Sequence, residues 1–257
     1  MTCTIVVATH KPYRMPSDPC YLPLHVGRAG KEDIGFLGDD TGENISRKNP
    51  FYCELTGLYW LWRNVESDYK GLVHYRRHFG GTRKSRDPWE RILTQGELEA
   101  LLKEHDVLVP AKRRYYIESL YSHYAHTHYA EHLDLTRQIL QERCPEYVPA
   151  FDRVMKRTWG HMFNMFIMSQ AKCDAYCGWL FPVLEQLESR VDYQSLDPFQ
   201  ARLFGRVSEL LLDVWLETQG YAYRELPLVS TEPVNWWRKG TSFLRAKFSG
   251  KKYGSSF

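Results

Sequence analysis

The sequence predicts an α/β fold in which a mainly parallel sheet is covered by helices on both faces. Short apolar or β-branched runs that end in polar turns predict buried strands, and stretches with helical hydrophobic spacing alternate with them. Such alternation is typical of a parallel sheet. With 257 residues, 43% of them hydrophobic, the chain suits one domain over residues 1–235, followed by a basic, aromatic tail over residues 236–257.

The predicted elements follow one another in a regular order. Residues 5–8 are apolar and end at a polar turn, so they form the first predicted strand, and the proline-rich residues 12–23 predict a loop. Leucines and aromatic residues at helical spacing predict a helix over residues 50–64. Further strands are expected at 70–75, 106–109, 161–168 and 223–228. Further helices are expected at 95–104, 117–143, 145–156, 171–189 and 198–218, and a second loop at 80–92.

Composition and charge exclude several classes of protein. The net charge of +3 is too small for a protein that binds nucleic acid over its whole surface. No apolar stretch reaches the roughly 18 residues of a transmembrane helix, and the N-terminus lacks the pattern of a signal peptide. The six cysteines include no CxxC pair and no zinc-type spacing. We therefore expect a cytoplasmic protein with reduced cysteines.

The tail at 236–257 combines lysines and arginines with aromatic residues and contains no acidic residue. Such a composition favours peripheral contact with an anionic membrane surface. A solvated basic tail is the alternative interpretation.

The most informative motif is His74-Tyr75-Arg76-Arg77, at the end of a predicted strand. Ligands of open α/β sheets bind at the carboxyl ends of the strands, and guanidinium groups match diphosphate oxygens. One interpretation is a clamp that binds a diphosphate and stabilises a leaving nucleotide. The other is a solvated basic strand end with one arginine in a structural ion pair.

Two further polar groups permit more than one interpretation. Asp39 and Asp40 could bind Mg²⁺ or Mn²⁺, bind hydroxyl groups of a sugar or ribose, or shape a glycine-rich turn. Tyr124, His128 and His132 lie on one face of the predicted helix at 117–143. Because no HExxH pattern accompanies these histidines, a polar helix face over the crevice, or contact with an acceptor, is favoured over a zinc site.

Asp197 and Glu209 are the candidate general bases, since a carboxylate near the start of a crevice-facing helix could deprotonate an acceptor hydroxyl. Asp197 precedes a proline and is therefore also a typical helix N-cap. Glu209 lies in an apolar stretch, so it needs a partner if it is buried.

Six longer motifs occur in order between about residue 5 and about residue 230. They are VATHKPYRMPSD at 7–18, LGDDTGENIS at 37–46, NPFYCELTGLYWLWRN at 49–64, GLVHYRRHF at 71–79, NMFIM at 164–168 and YCGWLFPVLEQLE at 176–188. Together they resemble a family of capsular and exopolysaccharide synthesis proteins whose domain is known as one of unknown function. Members are placed among glycosyltransferases, and some are similar to galactofuranosyltransferases that use UDP-galactofuranose.

The resemblance implies a GT-A-like fold with one nucleotide-binding domain and its active site at the strand ends. In this family the first strand ends at the nucleotide, and Asn164 would touch the donor sugar or the acceptor. The expected donor-binding residues are Thr9, His10, Lys11, Asp39, Asp40, His74, Tyr75 and Asn164. The cationic motif stands where most GT-A enzymes carry an Asp-x-Asp metal motif. No essential metal is therefore expected, with Mn²⁺ or Mg²⁺ at Asp39 and Asp40 left open.

The predicted reaction is transfer of a sugar from a UDP-sugar to a hydroxyl of a lipid-linked glycan in capsule, O-antigen or exopolysaccharide synthesis. Resemblance alone suggests galactofuranose as the sugar, and inversion as the stereochemistry. Asp197 or Glu209 would act with Arg76 and Arg77, and Tyr124 and His128 would contact the acceptor. The enzyme would work at the inner face of the cell membrane.

Two rival functions stay open. One is another enzyme that uses a nucleoside diphosphate, although the sequence lacks a glycine-rich phosphate loop. The other is a non-catalytic, membrane-associated scaffold of polysaccharide assembly.

Overall fold

A computed structural model describes residues 1–232, so the predicted tail at 236–257 lies outside the described residues. No helix within residues 1–232 is long and apolar enough to span a membrane. The strands, in chain order, are β1 (Cys3–Thr9), β2 (Tyr21–His25), β3 (Leu37–Gly38), β4 (Tyr69–His74), β5 (Arg77–Phe79), β6 (Val107–Pro110), β7 (Arg113–Arg114), β8 (Trp159–Gly160), β9 (Phe166–Ser169), β10 (Arg224–Leu226) and β11 (Leu228–Ser230).

Local chemistry explains where two of the helices begin or end. Thr94 and Glu97 form a reciprocal capping box at the start of α3, and α8 ends at Gly220, whose φ of 64° suits glycine. The α-helices are α1 (Asn49–Tyr52), α2 (Leu55–Asn64), α3 (Gln95–Leu102), α4 (Leu120–Thr127), α5 (Glu131–Arg143), α6 (Val148–Lys156), α7 (Gln170–Glu188) and α8 (Leu203–Gln219).

The central sheet has the strand order β10-β6-β9-β4-β1-β2-β3. Strand β1 pairs in parallel with both β2 and β4, and β10 pairs in parallel with β6. Strand β9 runs antiparallel between β4 and β6. The predicted mainly parallel sheet is therefore confirmed, with β9 inserted antiparallel beside its centre and β5 and β11 added as antiparallel strands at the end of β4.

Side-chain alternation along β1 divides the core between the two faces of the sheet. Val6 and Ala8 pack with the apolar side chains of α2 and of α5 to α8, whereas Ile5 and Val7 pack with those of α3 and β5. All four side chains are buried. Helices thus cover both faces, and the carboxyl ends of β1 and β4 meet at one edge of the sheet.

The loop predicted over residues 12–23 ends earlier than expected, because β2 begins at Tyr21 and contains Pro23. Proline lacks the N–H group that a strand donates to its neighbour. Its presence is tolerated here because β3 pairs only with Leu24 and His25, so no bond from residue 23 to β3 is lost. The second predicted loop, at 80–92, contains a short 3-10 turn over Pro88–Arg91.

Three predicted elements are interrupted where side chains bind backbone groups. The helix expected at 50–64 breaks at Cys53, which has a φ of 54°. The helix expected at 117–143 breaks at His128, where Gln200 Nε2 donates to the Thr127 carbonyl that ends α4. The strand expected at 161–168 is confined to β9, and a turn over residues 161–165 precedes it. All three breaks face the candidate site.

Candidate active site

The candidate site lies at the carboxyl ends of β1 and β4, between the turn at 161–165 and the first turns of α8. The turn carries two adjacent residues in the left-handed region, Phe163 with a φ of 79° and Asn164 with a φ of 52°. The left-handed region costs energy for residues other than glycine, so tertiary contacts must stabilise the turn. Nε2 of His74 supplies one such contact by donating to the Phe163 carbonyl oxygen over 2.8 Å. Burial lowers the pKa of His74, which favours the neutral ring.

Asn164 connects this turn to two other parts of the chain. Its Nδ2 donates to Glu54 Oε1 over 2.6 Å and to the Gly205 carbonyl over 2.9 Å, and its Oδ1 accepts from Ser208 Oγ over 2.7 Å. The side chain is 2% exposed. Asn164 therefore holds Glu54 against α8, and its expected contact with donor sugar or acceptor stays a prediction.

Two carboxylates, Glu54 and Glu209, lie in the site. Burial and the negative charge of Glu54 raise the pKa of Glu209 to about 7, opposed by a hydrogen bond from the Phe163 backbone and by the charges of Arg113 and Arg77. Glu54 Oε1 lies 3.9 Å from His74 Nε2. A carboxyl group that titrates near neutral pH is suited to accept a proton during catalysis.

Three arginines that flank the carboxylates pack on aromatic rings. The guanidinium carbon lies 4.5 Å from the Phe163 ring centre for Arg77, 5.1 Å from that of Tyr115 for Arg113, and 3.9 Å from that of Phe199 for Arg206. Within residues 1–232, none of the three forms an ion pair with a carboxylate. Their charges are therefore available to an anionic ligand.

Burial and neighbouring charges act on the same arginines. Burial, assisted by the charge of Arg76, lowers the pKa of Arg77, and burial with the charge of Arg202 lowers that of Arg206. Guanidinium groups keep their proton in proteins, so these shifts report like charges held close together in a partly dehydrated site. Such a concentration of positive charge favours binding of an anion.

Close packing brings the start of α8, and Arg202 directly before it, against the break at Cys53. Nε of Arg202 donates to Cys53 Sγ over 3.2 Å. A Cβ atom added at Gly205 would lie 3.2 Å from Cys53 Cβ and 3.3 Å from the Tyr52 carbonyl oxygen, which is tighter than ordinary contact. Glycine at this position therefore lets the first turn of α8 approach the backbone beside Glu54.

The strand ends predicted to bind the nucleotide gather around the Tyr75 ring. The His10 ring packs edge-on at 5.3 Å between centres, and Lys11 Nζ lies 5.2 Å from the Tyr75 ring centre. Thr9 is buried, and its Oγ1 donates to the Lys11 carbonyl over 2.7 Å, which shapes the turn. Arg76 also packs on Tyr75, at 5.2 Å, and pairs with Glu232 at 3.4 Å. The two adjacent arginines thus differ, because Arg76 forms an ion pair with a carboxylate and Arg77 forms none within residues 1–232.

Asp39 organises the loop that follows β2. The buried Asp39 carboxylate accepts hydrogen bonds from the backbone N–H of Gly27 over 2.8 Å, from that of Arg28 over 3.1 Å, and from the Ser46 hydroxyl. Asp40 pairs with Arg28 at 3.4 Å. Within residues 1–232, no group of three or more His, Cys, Asp or Glu side chains is arranged to hold a metal ion. Of the interpretations that the sequence left open, these contacts favour loop formation.

The predicted acceptor residues border the site from the break between α4 and α5. His128 Nδ1 lies 2.9 Å from Gln200 Oε1 and 2.6 Å from Arg206 Nη1. Burial and the charge of Arg206 lower the pKa of His128 to about 3, so the ring is neutral. Tyr124 is buried, with its hydroxyl oxygen 3.1 Å from His132 Nδ1. His128 therefore contacts Arg206 of α8 directly.

Of the two candidate bases, the structure brings Glu209 to the centre of the site. Asp197 is exposed, and its Oδ1 accepts from the backbone N–H groups of Phe199 and Gln200 over 2.9 and 3.1 Å. These bonds match the N-cap alternative for Asp197. Its assignment as the base stays a prediction.

Sequence reasoning missed three charged residues of the site, Glu54, Arg113 and Arg206. Glu54 is the single acidic residue of the apolar segment NPFYCELTGLYWLW, and a buried carboxylate of this kind needs a partner, so the segment did contain a signal. The arginines lie in ordinary loop and helix sequence. Their approach to the carboxylates depends on tertiary contacts.

A solved structure supports the fold. The chain resembles the apo structure of the bifunctional glycosyltransferase WbbM, with a TM-score of 0.84 and 29% sequence identity over 91% of this chain. This chain covers 46% of the WbbM chain, so it spans about half the length of that protein. The GT-A-like α/β fold is thereby confirmed.

Sequence comparison gives the family. No curated protein matches the chain significantly. The family described as Domain of unknown function (DUF4422) matches residues 4–220, which is most of the chain. The chain therefore belongs to the DUF4422 family.

Proposed function

We propose that this protein is a glycosyltransferase that transfers a sugar from a nucleoside diphosphate sugar to a hydroxyl group of a glycan. The observation that carries the proposal is the position of Glu209 beside Arg77 and Arg113 at the strand ends. A proton acceptor next to a group of cations is the chemistry that such a transfer requires. The likeness to a bifunctional glycosyltransferase at 29% identity supports the same conclusion.

In the proposed reaction, Glu209 accepts the proton of the acceptor hydroxyl while the hydroxyl oxygen forms a bond to the anomeric carbon. The bond from that carbon to the diphosphate breaks, and the nucleoside diphosphate leaves with the electron pair. Attack from the face opposite the diphosphate inverts the anomeric configuration. One proton acceptor suffices for this single displacement, and Glu54 raises the pKa of Glu209 toward the working pH.

Arg77, Arg113 and Arg206 supply the charge that stabilises the departing diphosphate. Their guanidinium groups are already oriented by the rings of Phe163, Tyr115 and Phe199, so little reorganisation is needed when negative charge develops. We propose that these groups perform the task that a divalent cation performs in many transferases. The engagement of Asp39 with the backbone N–H groups of Gly27 and Arg28 supports this division of roles.

The finer assignments in this proposal come from the resemblance of the motifs. They are a UDP-sugar donor, galactofuranose as the sugar, a lipid-linked acceptor in polysaccharide synthesis, and attachment of the tail at 236–257 to the inner face of the membrane. The cationic surroundings of Tyr75, with Lys11 and Arg76 on its ring, support a nucleotide at the ends of β1 and β4.

The first test is a thermal-shift experiment with UDP, GDP, CDP and TDP and their sugars, each with EDTA and with Mn²⁺. We expect UDP to stabilise the wild-type protein in EDTA, and Arg77→Ala to lose most of that stabilisation. Stabilisation only in Mn²⁺ would contradict the metal-free clamp. Absence of any nucleotide effect would favour a non-catalytic scaffold.

The second test measures sugar transfer from the stabilising donor to lipid-linked glycan acceptors, with detection of the glycosylated product. Wild-type transfer that is lost in Glu209→Gln supports the proposal. Donor binding without transfer to any acceptor, or release of the sugar to water alone, contradicts it.

A further inference from the structure

Behind the proposed site, His161 and Asp213 form a buried pair. The two Asp213 oxygens accept separate hydrogen bonds from the same residue, one from His161 Nδ1 over 2.5 Å and one from the His161 backbone N–H over 2.9 Å. The side chains are 0% and 2% exposed. Because a carboxylate only accepts hydrogen bonds, the His161 ring must carry a proton on Nδ1. The Asp213 carboxylate thus sets both the orientation of the ring and the position of the His161 backbone.

The pair supports the turn that organises the carboxylates of the site. His161 begins the turn that continues through Phe163, which accepts from His74, and Asn164, which binds Glu54. Asp213 lies on α8, one helical turn beyond Glu209. Helix α8 therefore contacts the turn at two points. Asp213 accepts from the backbone N–H of His161 at the start of the turn, and Glu209 accepts from the backbone of Phe163 in its middle.

The outer edge of the His161 ring faces a second carboxylate. Nε2 lies 3.5 Å from Glu225 Oε1, and that oxygen lies 2.9 Å from Lys112 Nζ. Lys112 directly precedes Arg113 of the site, and β7 pairs Arg113 with Gly160. The pair thus stands between the turn and the strand that carries Arg113.

Stability alone does not explain a histidine–aspartate pair at this depth. Removing a carboxyl group and an imidazole from water is costly, and well-packed apolar side chains often stabilise such a location equally well. The pair instead orients its surroundings, because the two hydrogen bonds that the Asp213 carboxylate accepts fix both the plane of the His161 ring and the position of the His161 backbone. A turn with two left-handed residues requires such fixed contacts, because its backbone conformation is unfavourable by itself.

We propose that His161 and Asp213 are positioning residues that hold the 161–165 turn in its active geometry. The catalytic part of this inference rests on the proposed transferase function. The structural part of the inference is independent of that function, since it concerns only how well ordered the 161–165 turn is. Neither residue contacts the proposed reacting groups, so the pair acts through Phe163, Asn164 and Arg113.

The test compares two amide substitutions of equal polarity. The amide nitrogen of asparagine can occupy the place of Nδ1, so His161→Asn retains a donor toward Asp213. The amide of glutamine reaches toward the Nε2 position instead, so His161→Gln loses that donor. Val214→Ala, which shortens a buried side chain next to Asp213, is the control for a general loss of stability.

Two measurements are made on the full chain, amide hydrogen exchange of a peptide over residues 160–166 and kcat for sugar transfer at saturating donor. We expect His161→Gln and Asp213→Asn to speed exchange of this peptide by roughly tenfold. We also expect them to lower kcat on the order of 100-fold, with donor KM changed much less. His161→Asn should stay close to wild type in both, and Val214→Ala should lower Tm without these effects.

The two readouts separate the inference from the function on which it rests. Faster exchange in His161→Gln, with no sugar transfer by the wild-type protein, would retain the structural role and remove the proposed function. Unchanged exchange in both His161→Gln and Asp213→Asn would overturn the inference, whatever the activity. Equal loss of activity in His161→Asn and His161→Gln would overturn it as well.

Discussion

Asn164 and Glu54 lie 110 residues apart in the sequence, yet Asn164 Nδ2 donates to Glu54 Oε1 over 2.6 Å. This bond joins the turn after β8 to the start of α2. It also fixes the direction of the carboxylate that raises the pKa of Glu209. The electrostatics of the site therefore depend on a contact between two segments that adopt unusual backbone conformations, at Cys53 and at Asn164.

Replacing Glu209 with glutamine should separate activity from stability. Glutamine has a similar shape but accepts no proton, so we expect transfer to fall on the order of 100- to 10,000-fold. The folded-state pKa of about 7 lies above the ordinary value of 4.5, so Glu209 contributes stability below pH 4.5 and loses that contribution as the pH rises through 7. The glutamine variant should therefore gain on the order of 2–3 kcal/mol relative to wild type between these two pH values.

Chemical denaturation at pH 5 and pH 8 measures that gain, and a product assay measures transfer. Glu43→Gln, at an exposed ion pair with Arg63, is the matched control and should change neither quantity appreciably. A Glu209→Gln enzyme with near wild-type turnover would show that another group is the base.

Replacing Glu54 with glutamine should shift the pH dependence of the reaction. The change removes a negative charge but keeps an oxygen that can accept from Asn164 Nδ2. Without that charge the pKa of Glu209 falls, so the acid limb of the pH–rate profile should move down by about one pH unit. Measurement of kcat/KM from pH 5 to 9 checks this shift, and a profile identical to wild type would contradict the coupling.

Arg77 and Arg76 should differ in their effect on nucleotide affinity. Arg76 pairs with Glu232, whereas Arg77 stacks on Phe163 beside both carboxylates. We expect Arg77→Ala to weaken UDP binding by about tenfold or more, and Arg76→Ala to weaken it less. Isothermal titration in EDTA compares the two, with Arg190→Ala as an exposed control. A larger loss in Arg76→Ala would reverse the assignment.

Asp39→Asn should lower the free energy of unfolding and leave any stabilisation by Mn²⁺ unchanged. An amide cannot accept all three hydrogen bonds that the Asp39 carboxylate receives, so at least one buried donor loses its partner. The expected loss is about 1–3 kcal/mol of unfolding free energy. Thermal and chemical denaturation measure it against Asp33→Asn, an exposed neighbour. A stable Asp39→Asn protein that no longer responds to Mn²⁺ would instead indicate a metal ligand.

Local patterns were sufficient for the strands that build the sheet. Residues 5–8 and 106–109 are apolar runs bounded by polar turns, and they lie in β1 and β6. A short run that is apolar on both faces is typical of a central strand, because helices cover both sides of such a strand. The prediction that His74 to Arg77 ends a core strand was confirmed for the same reason. β2 escaped prediction because its pairing with β1, rather than its own sequence, stabilises it.

The sequence by itself determined the alternation of buried strands and helices, and with it the edge of the sheet at which Thr9 and His74 emerge. It also supplied Glu209, because a carboxylate in an apolar helix requires a partner. Only the tertiary structure decided that Phe163, Arg77 and Arg113 are the partners of Glu209 and that Glu54 lies beside it. It also decided that Asn164 lies in a left-handed turn and that Arg206 faces the site. The spacing of apolar residues indicates which face of a segment is buried. Breaks in a helix or strand arise instead from hydrogen bonds between the backbone and distant segments, and the local sequence does not indicate which segments those are.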